Sequence, residues 1–189
     1  MPRPPVLPIL DWKAVFQSGK SFQQWLDTAE SDQNREAIQA ALAEQQIEPQ
    51  IEALLRALPR PVHVVAIAEP WCGDVRRHVP VLQRLAQAAP NLEVRYISRE
   101  QHPDVFARFL TNGGEAIPKF VFLSDQFVEC GNWGPMPAAD RVLIARGKAC
   151  GDLHAARQKV GQSYQADADR RIVVEELVDL INIAVCASP

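Results

Sequence analysis

The chain has no Cys-x-x-Cys pair, and its four cysteines, Cys72, Cys130, Cys150 and Cys186, lie far apart. That spacing excludes a disulfide framework and a zinc knuckle, and reduced thiols are the expectation. Glycine is scarce, nine residues in 189. No Gly-rich phosphate loop, Ser-His-Asp arrangement or pair of catalytic carboxylates stands out. No apolar run approaches the ~18–20 residues that span a bilayer. The opening MPRPPVLPIL has one arginine and four prolines before any sustained apolar segment. It makes a poor signal peptide, so a cytoplasmic location is expected. A basic excess is missing too: the formal net charge is −3. Neither nucleic acid nor a membrane is therefore expected as a partner.

What is present is an ordinary soluble composition, 47% hydrophobic and 23% charged, with length enough to bury a sizeable core in one globular unit. Residues 1–8 read as an irregular proline-rich arm. Four helices should follow. The first starts at Asp11 with Trp12, Val15 and Phe16 and stops at Gly19; the second is capped by Ser21, with Phe22, Trp25, Leu26 and Ala29 as its stripe. The third begins at Ser31 or Asp32 with Ile38, Leu42 and Ile47. The fourth begins at Pro49 with Ile51, Leu54, Leu55 and Leu58 and ends at Pro59 and Pro61. Residues 1–60 thus form an all-helical N-terminal extension packed on a core spanning 61–189.

The core reads as α/β. Val62 to Ala68 is a short, mostly apolar run suited to a strand buried on both faces. Pro70 and Gly73 punctuate it, and Asp74 is placed to N-cap a helix carrying Val75, Val79, Leu82 and Leu85. A strand over Leu92–Ser98 follows, then a helix from Pro103 with Val105, Phe106, Phe109 and Leu110, ended by Asn112-Gly113-Gly114. Lys119–Leu123 and Phe127–Cys130 should pair as a hairpin about Ser124-Asp125-Gln126. The order βαβαββ predicts a mixed sheet flanked by helices. A long helix over Ala138–Gln158, with Gly147 and Gly151 as candidate interruptions, and a last helix over Ala166–Ala184 complete the chain.

Cys72 is the sharpest chemical candidate. It stands at the carboxyl end of a strand and just before a helix N-terminus, where unpaired N–H groups and the helix dipole favour a thiolate. An exposed helix terminus contributes only about 0.3–1 kcal/mol, so the neighbouring charges matter: Asp74 opposes ionisation and Arg76 favours it. The competing reading is a small buried side chain behind the turn.

Trp71-Cys72-Gly73-Asp74 after an apolar strand resembles the active-site segment of the thioredoxin family, usually Trp-Cys-Gly-Pro-Cys. Pro80, eight residues past the cysteine, matches the family's helix proline. Gly114 to Phe122 resembles its cis-proline loop and following strand, with Gly131 at the end of the next. The resemblance covers about residues 60–135 and implies a thioredoxin-like fold with Ile117-Pro118 cis. It also implies that the backbone of Ile117 lies beside Cys72, where an extended peptide or the cysteinyl part of glutathione can pair by strand addition. Three departures stand against it. Val75 occupies the place of the resolving cysteine, Asp74 that of the motif's proline, and Ala66 that of the family's buried carboxylate. The pattern is similar to a bacterial group of single-cysteine thioredoxin-like proteins.

The remaining candidates are weighed against plainer roles. Trp71 and Trp133 are candidate rim residues, Trp133 having an equal claim to packing against the C-terminal helices. Glu69 and Asp74 are candidate proton carriers, although solvated carboxylates are commoner. Cys130 is weighed as a resolving thiol against a buried sheet residue, and the buried role is expected. Cys150 and His154 stand four apart, a spacing that binds metal only with a second pair, so no metal is expected. His78 is expected to be a polar helix residue. The reading that follows is a monothiol oxidoreductase. Cys72 attacks a disulfide or glutathionylated cysteine of a protein or peptide, with no resident cofactor, and an external thiol such as glutathione resolves the product. Its rival is a redox-inactive adaptor binding peptides at the Cys72/Pro118 groove, and a peroxide-reactive thiol ranks last because no threonine-rich turn surrounds Cys72.

Overall fold

A run without alternation has to be buried on both sides, and strand β1 (Val62–Ile67) meets that requirement at the centre of the sheet. The computed structural model describes residues 9–186; the expected proline-rich arm at 1–8 lies outside the described residues. Strand β1 pairs in parallel with β2 (Leu92–Ile97), from Val62↔Leu92 to Ile67↔Ile97. On its other side it pairs antiparallel with β3 (Lys119–Leu123), from His63↔Leu123 to Ile67↔Lys119. β3 in turn pairs antiparallel with β4 (Glu129–Trp133), giving the order β2-β1-β3-β4. The chain has a mixed α/β sheet of thioredoxin-like topology.

Cross-strand register places Tyr96, Ala66, Phe120 and Trp133 in one row on one face of the sheet. The long helix α5 (Gly73–Ala88) and the last helix α9 (Arg171–Ala184) cover that face. On the opposite face Phe16 meets His63 edge-on at 4.9 Å. Helix α1 (Trp12–Ser18) lies there, its first turn closed by Asp11 accepting from the Ala14 N–H at 3.0 Å. Helices α2 (Phe22–Leu26), α3 (Asp32–Glu44) and α4 (Pro49–Arg56) complete the N-terminal region. Trp25 donates from Nε1 to the Ala68 carbonyl at 2.8 Å and stacks on Tyr96 at 4.8 Å, pinning this region to the end of β1.

The N-terminal region is not all helical. Lys20 makes an antiparallel bridge with Tyr96, donating at 2.8 Å and accepting at 2.9 Å. β2 is an edge strand with free backbone groups to satisfy. Leu54 is exposed, Leu55 being the buried member of α4, and Ile47 falls beyond α3. The helix at Pro103 is a single turn, α6 (Pro103–Phe106), followed by a 3-10 turn, Ala107–Phe109, whose tighter winding leaves Leu110 exposed. The β3–β4 turn is longer than three residues. Phe127 takes a left-handed φ of +58° and stacks on His63 at 4.3 Å, while Ser124 Oγ accepts the N–H groups of Gln126 and Val128, each at 3.2 Å. β4 therefore starts at Glu129 and runs to Trp133.

The long C-terminal helix breaks in two. Helix α7 (Ala138–Cys150) ends because Gly151 is left-handed, φ +78°, and Asp152 then caps α8 (Leu153–Ala166) by accepting from the Ala155 N–H at 3.0 Å. Gly147 stays helical; a Cβ there would stand 2.4 Å from that of Ala156, so it is where α7 and α8 close on each other. Cys150 and His154 thus sit on different helices, and their four-residue spacing places no metal pair. The last helix starts at Arg171, with Asp167 Oδ1 accepting its N–H at 2.9 Å. Gln45, buried at the end of α3, ties the two ends of the chain together: it donates to the Asp169 carbonyl at 3.2 Å and accepts from Arg170 at 2.8 Å. Among the described residues no helix is long and apolar enough to cross a membrane.

Candidate functional site

The turn leaving β1 closes with the Cys72 N–H donating to the Glu69 carbonyl at 3.1 Å. Cys72, at φ −77° and ψ 133°, is itself the N-cap of the 16-residue α5, so the expected cap Asp74 falls inside the first helical turn. The correction has a simple cause: Cys72 O already accepts the Arg76 N–H at 3.0 Å, and that bond starts the helix two residues earlier. The Cys72 sulfur is half-buried and donates to the Ile117 carbonyl at 3.6 Å. Ile117–Pro118 is a cis peptide. Ile117 is buried, and its carbonyl is the group that meets the Cys72 sulfur. The loop is held by a close approach: Gly134, φ +113°, would place a Cβ 2.1 Å from the Pro118 carbonyl oxygen.

Burial raises the Cys72 thiol pKa above its ordinary value of 9.0. The backbone N–H groups of Val75 and Asp74 at the start of α5 pull the other way, the Asp74 charge adds to the rise, and Arg76 opposes it weakly. Desolvation wins. Arg76 is weak because its guanidinium is turned aside onto Asn34 Oδ1 of α3.

Beneath the cysteine lies a buried polar chain. The Tyr164 hydroxyl, from α8, donates to Asp74 Oδ1 at 2.9 Å, and His78 Nε2 lies 3.3 Å from the same hydroxyl. Since that hydroxyl gives its one proton to Asp74, it accepts from His78, which places the ring proton on Nε2 and leaves the buried Nδ1 without a partner. His78 is fully buried, edge-on to Trp133 at 5.2 Å and to Tyr164 at 5.4 Å. Burial first, then the positive charges of Arg77 and Arg170, push its pKa down to about 3, so it is a neutral ring. The Asp74 carboxyl is pushed up by burial against the Tyr164 hydrogen bond and the Arg77 charge. Arg77 lies over the Tyr164 ring at 4.4 Å and donates to the Tyr164 and Asp167 carbonyls at 3.0 and 2.6 Å. Tyr164 was invisible to sequence reasoning because no local pattern links it to a residue 90 positions earlier.

The other candidates separate. Trp71 is 45% exposed beside Cys72, with the Arg99 guanidinium 5.5 Å from its ring centre. Trp133 is 2% exposed and is no rim residue: it stacks on Phe120 at 5.3 Å and donates from Nε1 to Glu176 of α9 at 2.5 Å. Glu69 is no free proton carrier, since both its oxygens accept from Arg99 Nε, at 3.2 and 3.0 Å, and one also takes the Arg99 N–H at 3.2 Å. Gly73 has open space where a Cβ would stand. Cys130 is half-buried near the Leu123 end of β3, which pairs with the start of β1, whereas Cys72 follows its end. It is at the wrong end of the sheet to resolve Cys72. Lys119, missed from sequence, is buried with Nζ donating to the Gly134 carbonyl at 2.7 Å; burial and the Arg141 charge push its pKa down to about 8. No group of three or more His, Cys, Asp and Glu among the described residues is placed to hold a metal ion.

The family described as Thioredoxin matches residues 19–152, more than half of the chain. Among solved structures, a protein of unknown function from Pseudomonas aeruginosa is 17% identical with a TM-score of 0.71, over 92% of this chain and 98% of its own. An HIV epitope-scaffold is 16% identical with a TM-score of 0.66, again over 92% and 98%. At these identities the likeness speaks for the fold alone. No functionally curated protein matches.

Proposed function

Because this chain belongs to the thioredoxin family, we propose that it is a monothiol thiol–disulfide oxidoreductase whose reacting atom is the Cys72 sulfur. The supporting observation is the place of that sulfur: at the N-cap of α5, half-buried, 3.6 Å from the Ile117 carbonyl. The Cys72 thiolate attacks one sulfur of a disulfide RS–SR′. The Cys72–S–S–R bond forms, the RS–SR′ bond breaks, and R′S⁻ leaves with the electron pair and takes a proton. An external thiolate R″S⁻ then attacks the sulfur of R in the mixed disulfide, forming RS–SR″ and returning Cys72 as thiolate. Val75 offers no sulfur for an internal second step. The partner is a disulfide-bearing or glutathionylated protein or peptide, the co-substrate a low-molecular-weight thiol, and no resident cofactor takes part. Backbone pairing at Ile117, with Gly73 and Asp74 opposite and Trp71 as the apolar rim, positions the partner.

Asp74 is the acceptor for the Cys72 proton. Its raised carboxyl pKa suits it to hold a proton nearer neutrality than an ordinary aspartate, and the Tyr164 hydroxyl fixes its orientation. We place the protein in the cytoplasm, where a reducing environment suits four unpaired thiols. One observation favours the second reading, a peptide-binding module without turnover: burial holds Cys72 mostly protonated at neutral pH. Turnover of a glutathionylated peptide with glutathione present, compared between wild type and Cys72→Ser, decides between them. Turnover lost in the variant supports the oxidoreductase; peptide binding with no Cys72-dependent turnover supports the adaptor.

A further inference from the structure

Helices α7 and α8 wall a cavity of about 430 Å³. Asp74, two residues past the cysteine, lies on one wall, and Ala116, just before Ile117, on another. The cavity therefore borders the two segments, at Cys72 and at Ile117, whose sulfur and carbonyl meet at the thiol site. Its helical walls are built by spacing. Arg141, Ile144 and Lys148 recur three and four residues apart on α7, and Leu153, Arg157 and Val160 four and three apart on α8. Each helix thus presents aliphatic groups with cations among them to one space.

The three cations have no anionic partners: among the described residues none of Arg141, Lys148 and Arg157 forms an ion pair. Arg141 gives one N–H to the Met136 carbonyl at 2.6 Å and Lys148 one to the Asn112 carbonyl at 2.9 Å, which leaves each with free donors. Arg157 makes no side-chain hydrogen bond among the described residues. The carboxylates on the lining are Asp74, already bonded to Tyr164, and Glu115, 3.8 Å from Arg99. The Arg141 charge is felt as far as Lys119, whose ammonium it disfavours.

We infer that this cavity is the subsite for the resolving thiol and selects an anionic one: a tripeptide-sized thiol bearing carboxylates, which Arg141, Lys148 and Arg157 hold while its sulfur reaches Cys72. This rests on the oxidoreductase reading above for the role of the ligand, though not for its binding. The volume lies in the range of about 300–1,000 Å³ usual for small-molecule sites. Two carboxylates match three cations, and the aliphatic side chains cover the ligand's backbone. In the resolving step the bound thiolate attacks the partner's sulfur in the mixed disulfide, its new S–S bond replacing the one that releases Cys72.

Two measurements test this on the full chain. The first uses S-methylglutathione, which has no thiol to react, and its diethyl ester. The expected result is that the parent binds and the ester binds about tenfold or more weaker. The same loss is expected in a Lys148→Gln, Arg157→Gln double variant and on raising salt from about 50 to about 500 mM. No binding of the parent, or equal binding of the ester, overturns the subsite; so does binding of an acidic disulfide peptide alone. The second compares glutathione with 2-mercaptoethanol, corrected for thiolate fraction, in reducing a preformed Cys72 mixed disulfide. Glutathione should be faster in wild type, and that advantage should vanish in the double variant while the 2-mercaptoethanol rate holds. Equal rates in wild type overturn the selection. S-methylglutathione binding without any Cys72 turnover would instead leave the subsite standing and remove the oxidoreductase reading.

Discussion

The β1–α5–β3 unit and the C-terminal helices α7 to α9 contribute different things to one site. The first places the sulfur: a strand end, a helix N-terminus and the Ile117–Pro118 backbone converge on Cys72. The second supports its neighbours, through Tyr164 on Asp74 and Glu176 on Trp133, and walls the adjoining cavity with the cations of α7 and α8. Where the family resemblance implies a buried carboxylate, this chain has Ala66, fully buried in a row with Tyr96, Phe120 and Trp133. A carboxylate in that row would be desolvated by the aromatic side chains around it. Asp74 supplies one instead in the first turn of α5, half-buried and held by the Tyr164 hydroxyl of α8. The sheet unit with α5 fixes where the thiol sits and which charges flank it, while the added helices steady the carboxylate beside it.

Substitutions along the seam between the two regions separate their contributions. The largest effect is expected at Trp133. Truncation to Ala empties a stacked, buried site and should cost about 3–5 kcal/mol in urea unfolding, whereas Trp71→Ala, at an exposed rim, should leave stability within about 1 kcal/mol and raise the KM for a peptide disulfide. Equal costs for the two would erase the distinction between seam and rim. Next comes His78. Its folded pKa lies below its unfolded value of 6.5, at about 3, so the stability it contributes is present above 6.5 and is lost as pH falls toward 3. Acid titration of unfolding should show a loss on the order of 4 kcal/mol across that window, and His78→Leu should flatten the slope.

Asp74→Asn removes a charge that holds the Cys72 pKa up, so alkylation of Cys72 at mildly alkaline pH should become faster, while turnover near neutrality should fall with loss of the proton acceptor. Both rates moving the same way would separate Asp74 from the proton. The smallest expected effect is none: Cys130→Ser should leave turnover unchanged, because Cys130 lies at the far end of the sheet. A loss there would reopen an internal resolving step.

Legibility followed the range of the interactions. Strand β1 and helix α5 could be read because an unbroken apolar run and a 3.6-residue stripe are local signals. The Ser21 cap was local in the same way. The break at Gly151 needed the choice between two glycines, which depends on Gly147 packing against Ala156 of the next helix. β4 slipped toward Trp133 because Phe127 is drawn onto His63 across the sheet. At the site, Cys72 was evident from its neighbours in sequence. The raised pKa, the Tyr164–Asp74 bond and the burial of Trp133 all come from segments that meet only on folding.

The central claim is that an external disulfide exchanges onto the Cys72 sulfur. Incubating the full chain with a glutathionylated peptide, quenching in acid and locating the adduct by mass spectrometry tests it most directly. A mixed disulfide on Cys72 is expected, forming faster as pH rises and disappearing on adding glutathione. No adduct on Cys72 under conditions that modify the exposed Cys150 and Cys186 would contradict it.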